Sequence, residues 1–333
     1  MIRTLHVSEP SRCGLTAWLA KSESATWLSE RETQTAIARS MATPYSLTVR
    51  RVIVASLLSV ICSACRSSRH PDAVQEVFHD GEVTVTDVHF YSSSVDGMFW
   101  YRIIEPQVGP NEGLPVLYLL HGVNSDPKEI TEYSEVTKLA VASHLIVVMP
   151  EVGFSYYTNA KHKRHARWEN AVMEELPRDV EKRFRLLRGR QHTGVAGISM
   201  GGYGAVKLAL KHPELYGFVG NMSGSLDITR REASLRRWGQ TLRIWNTFGV
   251  RPNIRRDEDV FDLLDRAVEV KSVTWFESCG KNDPLLSVNE RFARKLRERG
   301  VTPGLITTPG GHDWQSWNAA MPDLFRAAEK TLR

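Results

Sequence analysis

Ser199 lies in a sequence pattern that can turn a serine into a nucleophile. It is the central residue of the stretch Gly-Ile-Ser-Met-Gly at 197–201, which follows a predicted strand and opens an Ala- and Leu-rich helical stretch. A sharp turn from strand to helix presents the serine hydroxyl at the edge of a sheet, and Gly197 and Gly201 let the two elements approach closely. The backbone N–H of Met200 at the helix start can then stabilise a negative charge that develops on an oxygen. The pattern predicts a nucleophile elbow.

A serine hydroxyl attacks efficiently only when a histidine takes its proton and an acid orients that histidine. In a fold with such an elbow, the partners follow in the order serine, Asp or Glu, histidine, each in a loop just beyond a strand. Asp283 follows a predicted strand at 273–278, and His312 follows one at 304–308, both in loops bounded by Gly and Pro. The sequence therefore predicts a triad of Ser199, Asp283 and His312.

Other acids and histidines fit these roles less well. Asp313 adjoins His312 in sequence, where neighbouring side chains diverge, and its expected role is to cap the final helix. Glu277 is predicted to lie within a strand. His212 is predicted to lie at a helix end. His162 and His165 lie in the basic run 161–165, which is typical of a solvated loop.

A second turn is predicted to complete the site. His121-Gly122-Val123 follows a predicted buried strand at 116–120. The backbone N–H of Val123 can point at the same substrate oxygen as the N–H of Met200, which gives an oxyanion hole with two donors. An ordinary loop between a strand and a helix remains the alternative. His121 belongs to this turn and is not expected to act as the base.

The elements that position these residues alternate between strands and helices. Such alternation is typical of a mostly parallel sheet with helices on both faces. The stretches 83–90 and 99–104 alternate apolar and polar residues around an Asp96-Gly97 turn and predict an antiparallel N-terminal pair. Further strands are predicted at 116–120, 145–149, 193–198, 218–222, 273–278 and 304–308, and helices at 169–184, 201–211, 288–299 and 317–332, with Gly300 ending the third helix.

Residues 223–271 interrupt this alternation. The segment is rich in arginine and contains Trp238 and Trp245. We expect it to form a small cap inserted over the carboxyl ends of the strands. The α/β domain with this insertion is predicted to span residues 82–333.

The N-terminal segment predicts export. Arg50 and Arg51 precede a short apolar run at 52–61, and Ser63-Ala64-Cys65 follows. This order of charge, apolar core and small residues is typical of a secretory signal, and Cys65 is a candidate for lipidation at a lipobox-like site. Residues 1–64 are therefore predicted to be an extension with a signal segment, for which Met41 is a possible true start, and 65–81 a tether. The protein is expected in the cell envelope or secreted.

Composition excludes several classes of protein. The chain of 333 residues has 42% apolar residues and 43 Lys+Arg against 38 Asp+Glu, which is typical of a globular domain and gives no general electrostatic case for nucleic-acid binding. If Cys65 is acylated, Cys279 is the one cysteine of the exported chain, so no disulfide framework is expected. No zinc-type Cys and His spacing is present, and neither a metal nor a cofactor is predicted.

Taken together, these stretches resemble the esterase D family of α/β-hydrolases, which includes feruloyl and acetyl xylan esterases, S-formylglutathione hydrolases, short-chain acyl esterases and mycolyltransferases. The likeness extends over about residues 82–332 and lies in 118–122, 174–177, 197–205, 212–216, 280–283 and 311–314. It implies the α/β-hydrolase fold, the triad named above, and Val123 and Met200 as oxyanion donors. The chain departs from the family after Gly122, where relatives often continue with Gly-rich residues.

The sequence thus predicts a serine esterase that hydrolyses small-molecule or polysaccharide esters through an acyl-enzyme intermediate. An acyltransferase that uses the same triad is an alternative, because only the acceptor of the acyl group differs. A non-catalytic protein that binds glycans or lipids on an esterase scaffold is a second alternative. A fluorophosphonate probe separates the last from the first two, because only an activated serine reacts quickly.

Overall fold

A nine-stranded, mostly parallel sheet forms the centre of the residues that the structure describes. The computed structural model describes residues 73–109, 113–231, 238–250, 252–302 and 304–333. The strands are β1 (Ala73–His79), β2 (Val83–Ser92), β3 (Gly97–Pro106), β4 (Val116–Leu120), β5 (Ile146–Pro150), β6 (Thr193–Ile198), β7 (Phe218–Met222), β8 (Thr274–Gly280) and β9 (Leu305–Thr308). Their order in the sheet is β1-β2-β3-β5-β4-β6-β7-β8-β9.

The first three strands are antiparallel and the rest of the sheet is parallel. β2 pairs with β3 over their full length, from Val83 opposite Pro106 to Ser92 opposite Gly97. The predicted antiparallel pair is therefore confirmed, and Asp96 has the positive φ of 50° that its turn requires. β3 also pairs antiparallel with β5, whereas every later pairing is parallel.

Helices cover both faces of the sheet, as predicted. They are α1 (Pro127–Tyr133), α2 (Val136–Ser143), α3 (Trp168–Asn170), α4 (Leu176–Arg183), α5 (Met200–Lys211), α6 (Trp238–Phe248), α7 (Val260–Arg266), α8 (Leu286–Glu298) and α9 (Trp314–Leu332). A π-helical turn, Ala171–Glu175, joins α3 to α4. One core cluster contains side chains of α1, α2 and α9, and the other contains side chains of α3 to α8. β4 and β5 are buried along their whole length between them.

Three elements differ from the sequence-based expectation. Ala73–His79 forms the edge strand β1 antiparallel to β2, although the sequence suggested a tether at 65–81. The apolar side chains of this strand are exposed, namely those of Val74, Val77 and Phe78. Its sequence therefore lacks the alternation that predicts a strand with one buried face. The helices α1 and α2 were not predicted, because each is only seven or eight residues long and too short to show a helical period.

The N-terminal predictions lie outside the described residues. These are the extension at 1–64, the possible start at Met41, the signal segment and the lipidation candidate Cys65. In the part of the chain that the structure describes, no helix combines the length and the apolar character needed to cross a membrane.

The described part of the insertion at 223–271 packs beside α5. Ile244 and Phe248 of α6 and Leu264 of α7 belong to the same core cluster as Tyr203 of α5. The Phe248 ring meets the Tyr203 ring edge to face at 6.0 Å. These apolar side chains of the insertion therefore pack on one face of the sheet.

Buried charges join the insertion to α5. The ammonium group of Lys207 is fully buried and donates to Glu169 Oε2 at 2.7 Å and to the backbone oxygen of Tyr157 at 2.6 Å. Glu258 of the insertion lies 3.2 Å from the same ammonium group, and Lys211 lies 2.5 Å from Glu169. Burial alone would raise the pKa of Glu169, but the two lysines lower it to about 2. We call Lys207, Lys211, Glu169 and Glu258 the charge quartet.

Candidate active site

Ser199 occupies a strained turn between β6 and α5. Its φ of 59° and ψ of −109° are unusual for a residue with a side chain, and such backbone strain is frequent at active sites. Gly197 and Gly201 make the turn possible: a Cβ on Gly197 would lie 2.3 Å from the Gly201 carbonyl carbon, and one on Gly201 would lie 2.0 Å from the Leu120 oxygen. The local geometry is therefore that of the predicted elbow.

The three residues of the predicted triad meet at the carboxyl edge of the parallel strands. His312 Nε2 lies 2.8 Å from Ser199 Oγ, and His312 Nδ1 lies 2.8 Å from Asp283 Oδ2. Ser199 follows β6, Asp283 follows β8 and His312 follows β9, so three parallel strands aim the three loops at one point. The arrangement can transfer a proton from the serine hydroxyl to the imidazole while a carboxylate orients the ring.

The carboxylate of Asp283 is held in the ionised form. Burial alone would raise its pKa, but hydrogen bonds from His312 and from the Leu285 N–H, the nearby Ser223 hydroxyl and the charge of His312 lower it below the usual range. The Leu285 N–H reaches Asp283 Oδ1 at 2.8 Å. Ser223 was not predicted as a site residue; it follows β7 and is fully buried, and its only sequence signal is its place at the end of a strand.

The turn after β4 lies against the serine. A Cβ on Gly122 would be 3.4 Å from Ser199 Cβ and 4.0 Å from Ser199 Oγ. Val123 lines the same cavity as Ser199 and His312. Met200 is the first residue of α5, where the N–H has no acceptor within the helix. The structure therefore places both residues predicted as oxyanion donors beside Ser199, Val123 in the same cavity and Met200 as its neighbour in the chain.

His121 is a buried, neutral part of this turn. Burial is the main reason that its pKa is lowered to about 4. The neutral ring donates from Nδ1 to the Gly122 oxygen at 2.7 Å and accepts the Val152 N–H at Nε2 at 3.2 Å. Both nitrogens are thus occupied, which agrees with the expectation that His121 is not the base.

A cavity of about 410 Å³ opens in front of the hydroxyl. Trp314 and Trp317 form one wall, and the Trp317 ring meets the imidazole of His312 edge to face at 5.3 Å. Trp317 was not predicted as a site residue, because it lies inside α9, where an aromatic residue is usually packing. No described residue of 223–271 lines this cavity, so the expected cap over the site does not form its wall.

The competing residues have the structural roles that the sequence favoured. Asp313 accepts the Ser316 N–H at 3.1 Å and caps α9. His212 directly follows α5, at its C-cap. His165 is exposed and lies 3.5 Å from Asp96. Within the described residues, no group of three His, Cys, Asp or Glu side chains is arranged to hold a metal ion.

Glu277 lies in β8 and is fully buried in a polar cluster beside the elbow. Asn221 Nδ2 donates to Glu277 Oε2 at 2.6 Å and to Asn289 Oδ1 at 2.8 Å. Burial is the main reason that the pKa of Glu277 is raised to about 8. A Cβ on Gly202 of α5 would lie 2.5 Å from Asn221 Oδ1, so the cluster packs directly against the start of the helix that follows Ser199.

Replacing Glu277 by glutamine is expected to remove a pH dependence of stability. The folded chain keeps this proton up to about pH 8, whereas an unfolded glutamate loses it near 4.5. Between these values the folded state binds more protons, so the free energy of unfolding falls as pH rises, by at most about 1.4 kcal/mol per pH unit. Urea unfolding from pH 5 to 8 should show this fall in the wild type and a flatter curve in Glu277→Gln. Parallel curves would contradict the protonated state.

Replacing Gly201 by alanine is expected to destabilise the fold by about 3 kcal/mol or more, because backbone oxygens of Leu120 and His121 lie 2.0 and 2.9 Å from the new Cβ. Esterase activity should fall at least about 100-fold, since a displacement of about 1 Å has that effect on catalysis. Gly239→Ala is the matched control: it lies in α6 with no atom within 4 Å of a Cβ and should be neutral or slightly stabilising. Thermal unfolding and ester hydrolysis measure both; equal behaviour of the two variants would refute the tight contact.

The chain is similar to known esterases in sequence and in fold. A family model described as "Putative esterase" matches residues 92–328. An acetyl esterase of Caldicellulosiruptor saccharolyticus is 25% identical over 264 residues, which cover 74% of this chain and 99% of that protein. Esterase Rv1288 of Mycobacterium tuberculosis is 25% identical over 269 residues, or 69% of this chain and 57% of that longer protein.

A solved ferulic acid esterase has the same fold. It superposes with a TM-score of 0.63 at 25% identity and covers 75% of this chain and 100% of that structure. The match to the family model extends over well more than half of the present sequence. The chain therefore belongs to this esterase family, and it is an enzyme that hydrolyses carboxylic esters.

Proposed function

We propose that the esterase works through an acyl-enzyme formed on Ser199. The observation that carries the proposal is the continuous pair of hydrogen bonds from Ser199 through His312 to Asp283, each 2.8 Å long. Both bonds have the length of a normal hydrogen bond. The hydroxyl, the base and the orienting acid thus stand in the geometry that activates a serine.

In the first half of the reaction, His312 Nε2 takes the proton of Ser199 as Oγ attacks the ester carbonyl carbon. The negative charge moves to the carbonyl oxygen, next to the N–H groups of Val123 and Met200. His312 then gives its proton to the alcohol oxygen, which leaves as the acyl-enzyme forms. In the second half, water takes the place of the alcohol and loses a proton to His312 as it attacks the acyl carbon. His312 then gives a proton to Ser199 Oγ as the bond between Oγ and the acyl carbon breaks and the acid is released.

Two features support the assignment of Val123 and Met200 as the oxyanion donors. Val123 lines the same cavity as Ser199, and Gly122 lies so close to the serine that a Cβ there would be 4.0 Å from Ser199 Oγ. The Met200 N–H stands at the start of a helix of 12 residues, where the helix dipole adds to the attraction of a negative oxygen. A preorganised donor of this kind contributes on the order of 10²- to 10³-fold to the rate.

Trapping of the intermediate tests the mechanism. A fluorophosphonate probe should label the native protein once, and mass spectrometry of its peptides should place the label on Ser199. Acid quenching during turnover of 4-nitrophenyl acetate should show an acetyl group on the same residue. Rapid ester hydrolysis without any label or acetyl group on Ser199 would refute the proposal.

We also propose a small-molecule or polysaccharide ester as the substrate. The two indole rings of Trp314 and Trp317 give the cavity in front of Ser199 an apolar, aromatic wall, which suits the flat face of an aromatic ring or of a sugar. The names of the relatives, an acetyl esterase and a ferulic acid esterase, fit this class of substrate.

Export with a lipid at Cys65 is proposed on the sequence of the N-terminal segment. Arg50-Arg51, the apolar run at 52–61 and Ser63-Ala64-Cys65 support a signal that ends at a lipidated cysteine. Metabolic labelling of a bacterial host with an alkyne-tagged palmitate tests this. The full chain should become labelled and Cys65→Ser should not; label on both forms or on neither would refute lipidation at this residue.

A further inference from the structure

A second cavity lies at the same edge of the sheet, between the loop that follows β5 and helix α6 of the insertion. Its volume is about 300 Å³. Phe154 and Trp168 give it aromatic surface, and Lys163, Arg243 and Asn246 give it charged and polar groups. None of these residues belongs to the cavity in front of Ser199, and the mechanism above does not use them.

The charged side chains that line this cavity are all positive. Two cations line it, Lys163 and Arg243, and no Asp or Glu does. Arg243 lies over the Phe154 ring, 5.1 Å from its centre, and neither cation forms an ion pair with a carboxylate among the described residues. Elsewhere in the described chain, exposed arginines such as Arg256, Arg266 and Arg326 do lie beside carboxylates. An anionic group would supply the missing partner.

The cationic wall is held in place by backbone hydrogen bonds. The basic run at 161–165 forms the tip of a hairpin that the Ala160 N–H closes by donating to the Ala166 oxygen at 2.9 Å. The Lys161 N–H then donates to the Thr247 oxygen of α6 at 3.1 Å, which fixes the hairpin against the helix that carries Arg243. The two cations are thus presented from two joined elements.

The cavity is also joined to the catalytic turn. The Val152 N–H, on the cavity wall, donates to His121 Nε2 at 3.2 Å, and the Tyr157 hydroxyl donates to the His121 oxygen at 3.0 Å. The ammonium group of Lys207, a member of the charge quartet, donates hydrogen bonds to the backbone oxygen of Tyr157 and to the hydroxyl of Thr158. The wall of the second cavity and the turn that carries Val123 are therefore parts of one hydrogen-bonded unit.

We propose that this cavity binds an anionic group, such as a carboxylate, carried by the ester that Ser199 cleaves. Arg243 and Lys163 pair with the anion, while Phe154 and Trp168 cover the apolar part of the substrate that leads to it. The proposal rests on the proposed function, because it takes the bound ester to react at Ser199. The protein is on this account an esterase that prefers acidic esters.

Matched pairs of charged and neutral esters test the proposal. The acyl side is probed with the mono-4-nitrophenyl esters of glutaric and suberic acid against 4-nitrophenyl valerate and octanoate. The alcohol side is probed with 4-acetoxybenzoate against its methyl ester. In the wild type, kcat/KM should favour the charged member of at least one pair, and added salt should weaken that preference because the cations are exposed.

Arg243→Met should raise KM for the preferred charged ester about three- to tenfold and leave its neutral partner unchanged, as expected for an exposed ionic contact. Lys163→Met should act in the same direction, and Arg243→Lys should recover most of the loss. Arg256→Met, which removes an exposed arginine of the same insertion away from the cavity, is the control and should change neither KM. A preference among the acyl-side pairs would place the anion on the acyl part of the ester, and a preference in the alcohol-side pair would place it on the alcohol part.

Two results would overturn the proposal. One is a wild type that favours none of the three charged esters over its neutral partner. The other is a KM increase that is as large for neutral as for charged esters, or as large in Arg256→Met as in Arg243→Met. In either case hydrolysis of the neutral esters still depends on Ser199, so the proposed function stands. Hydrolysis of neutral esters that persisted at wild-type rate in Ser199→Ala would instead refute the proposed function itself.

Discussion

Replacing Ser199 by alanine should lower kcat for 4-nitrophenyl acetate by about 10⁵- to 10⁶-fold, the scale observed when a triad loses its nucleophile. Alanine has no oxygen that can attack, and a water molecule in its place would have to be oriented without a fixed partner. The fold should survive, because the substitution removes the hydrogen bond between the hydroxyl and His312 but leaves the hydrogen bond between His312 and Asp283 in place. A melting temperature within a few degrees of the wild type would show this.

Ser225→Ala provides a matched control for that experiment. Ser225 is also buried, and its contact with the elbow is the backbone hydrogen bond from its N–H to the Ser199 oxygen at 3.1 Å. Alanine keeps this bond, so the activity of the control should stay within about twofold of the wild type, as for a substitution that leaves the reacting atoms in place. Comparable losses in the two variants would show that the elbow is merely sensitive to substitution and that Ser199 has no special role.

Replacing Asp283 by asparagine should reduce kcat by about 10⁴-fold. The carboxylate now accepts the His312 Nδ1 proton at 2.8 Å, which leaves Nε2 unprotonated and able to take the serine proton. An amide nitrogen at the same place would favour the other tautomer, with the proton on Nε2 and no base beside Ser199. Asparagine keeps the oxygen that accepts the Leu285 N–H, so unfolding should change little.

Asp313→Asn separates the two candidate acids. Asp313 is next to His312 in sequence but caps α9 through the Ser316 N–H, and asparagine is an equally good cap. Its kcat should therefore fall less than about tenfold, since no reacting group loses its partner. Steady-state kinetics of both variants on one ester measures the difference. A larger loss in Asp313→Asn than in Asp283→Asn would reverse the assignment of the acid.

The meeting point of Ser199, Asp283 and His312 could be predicted because local signals were strong at each position. A glycine-flanked serine between a strand and a helix, and polar residues in Gly- and Pro-bounded loops after later strands, fix their edge of the sheet from sequence alone. The structure adds the distances, which depend on how the strands align. Ser223 and Trp317 could not be predicted, because their contacts with Asp283 and His312 arise only from the packing of β7 and α9.

The contacts of the buried polar side chains could not be predicted from the sequence for the same reason. Lys207 lies in an Ala- and Leu-rich helix and is bonded to Glu169, 38 positions away; nothing local marks it as buried. Glu277 was predicted to lie in a strand, but its pairing with Asn221 depends on the register of β7 against β8. The position of the insertion could be predicted from its break in the alternation, whereas its packing beside α5 depends on side chains such as Phe248 that meet partners far along the chain.

The charge quartet also bears on how substrate enters. An insertion near an active site often acts as a gate that swings on a hinge, yet here Glu258 is held by two lysines of α5. Swinging the insertion outward would strand the fully buried ammonium group of Lys207 without one of its counter-ions, and stranding a buried charge costs several kcal/mol. These ion pairs therefore oppose an outward swing of the insertion, and because no described residue of the insertion lines the cavity in front of Ser199, an ester can enter that cavity without such a swing.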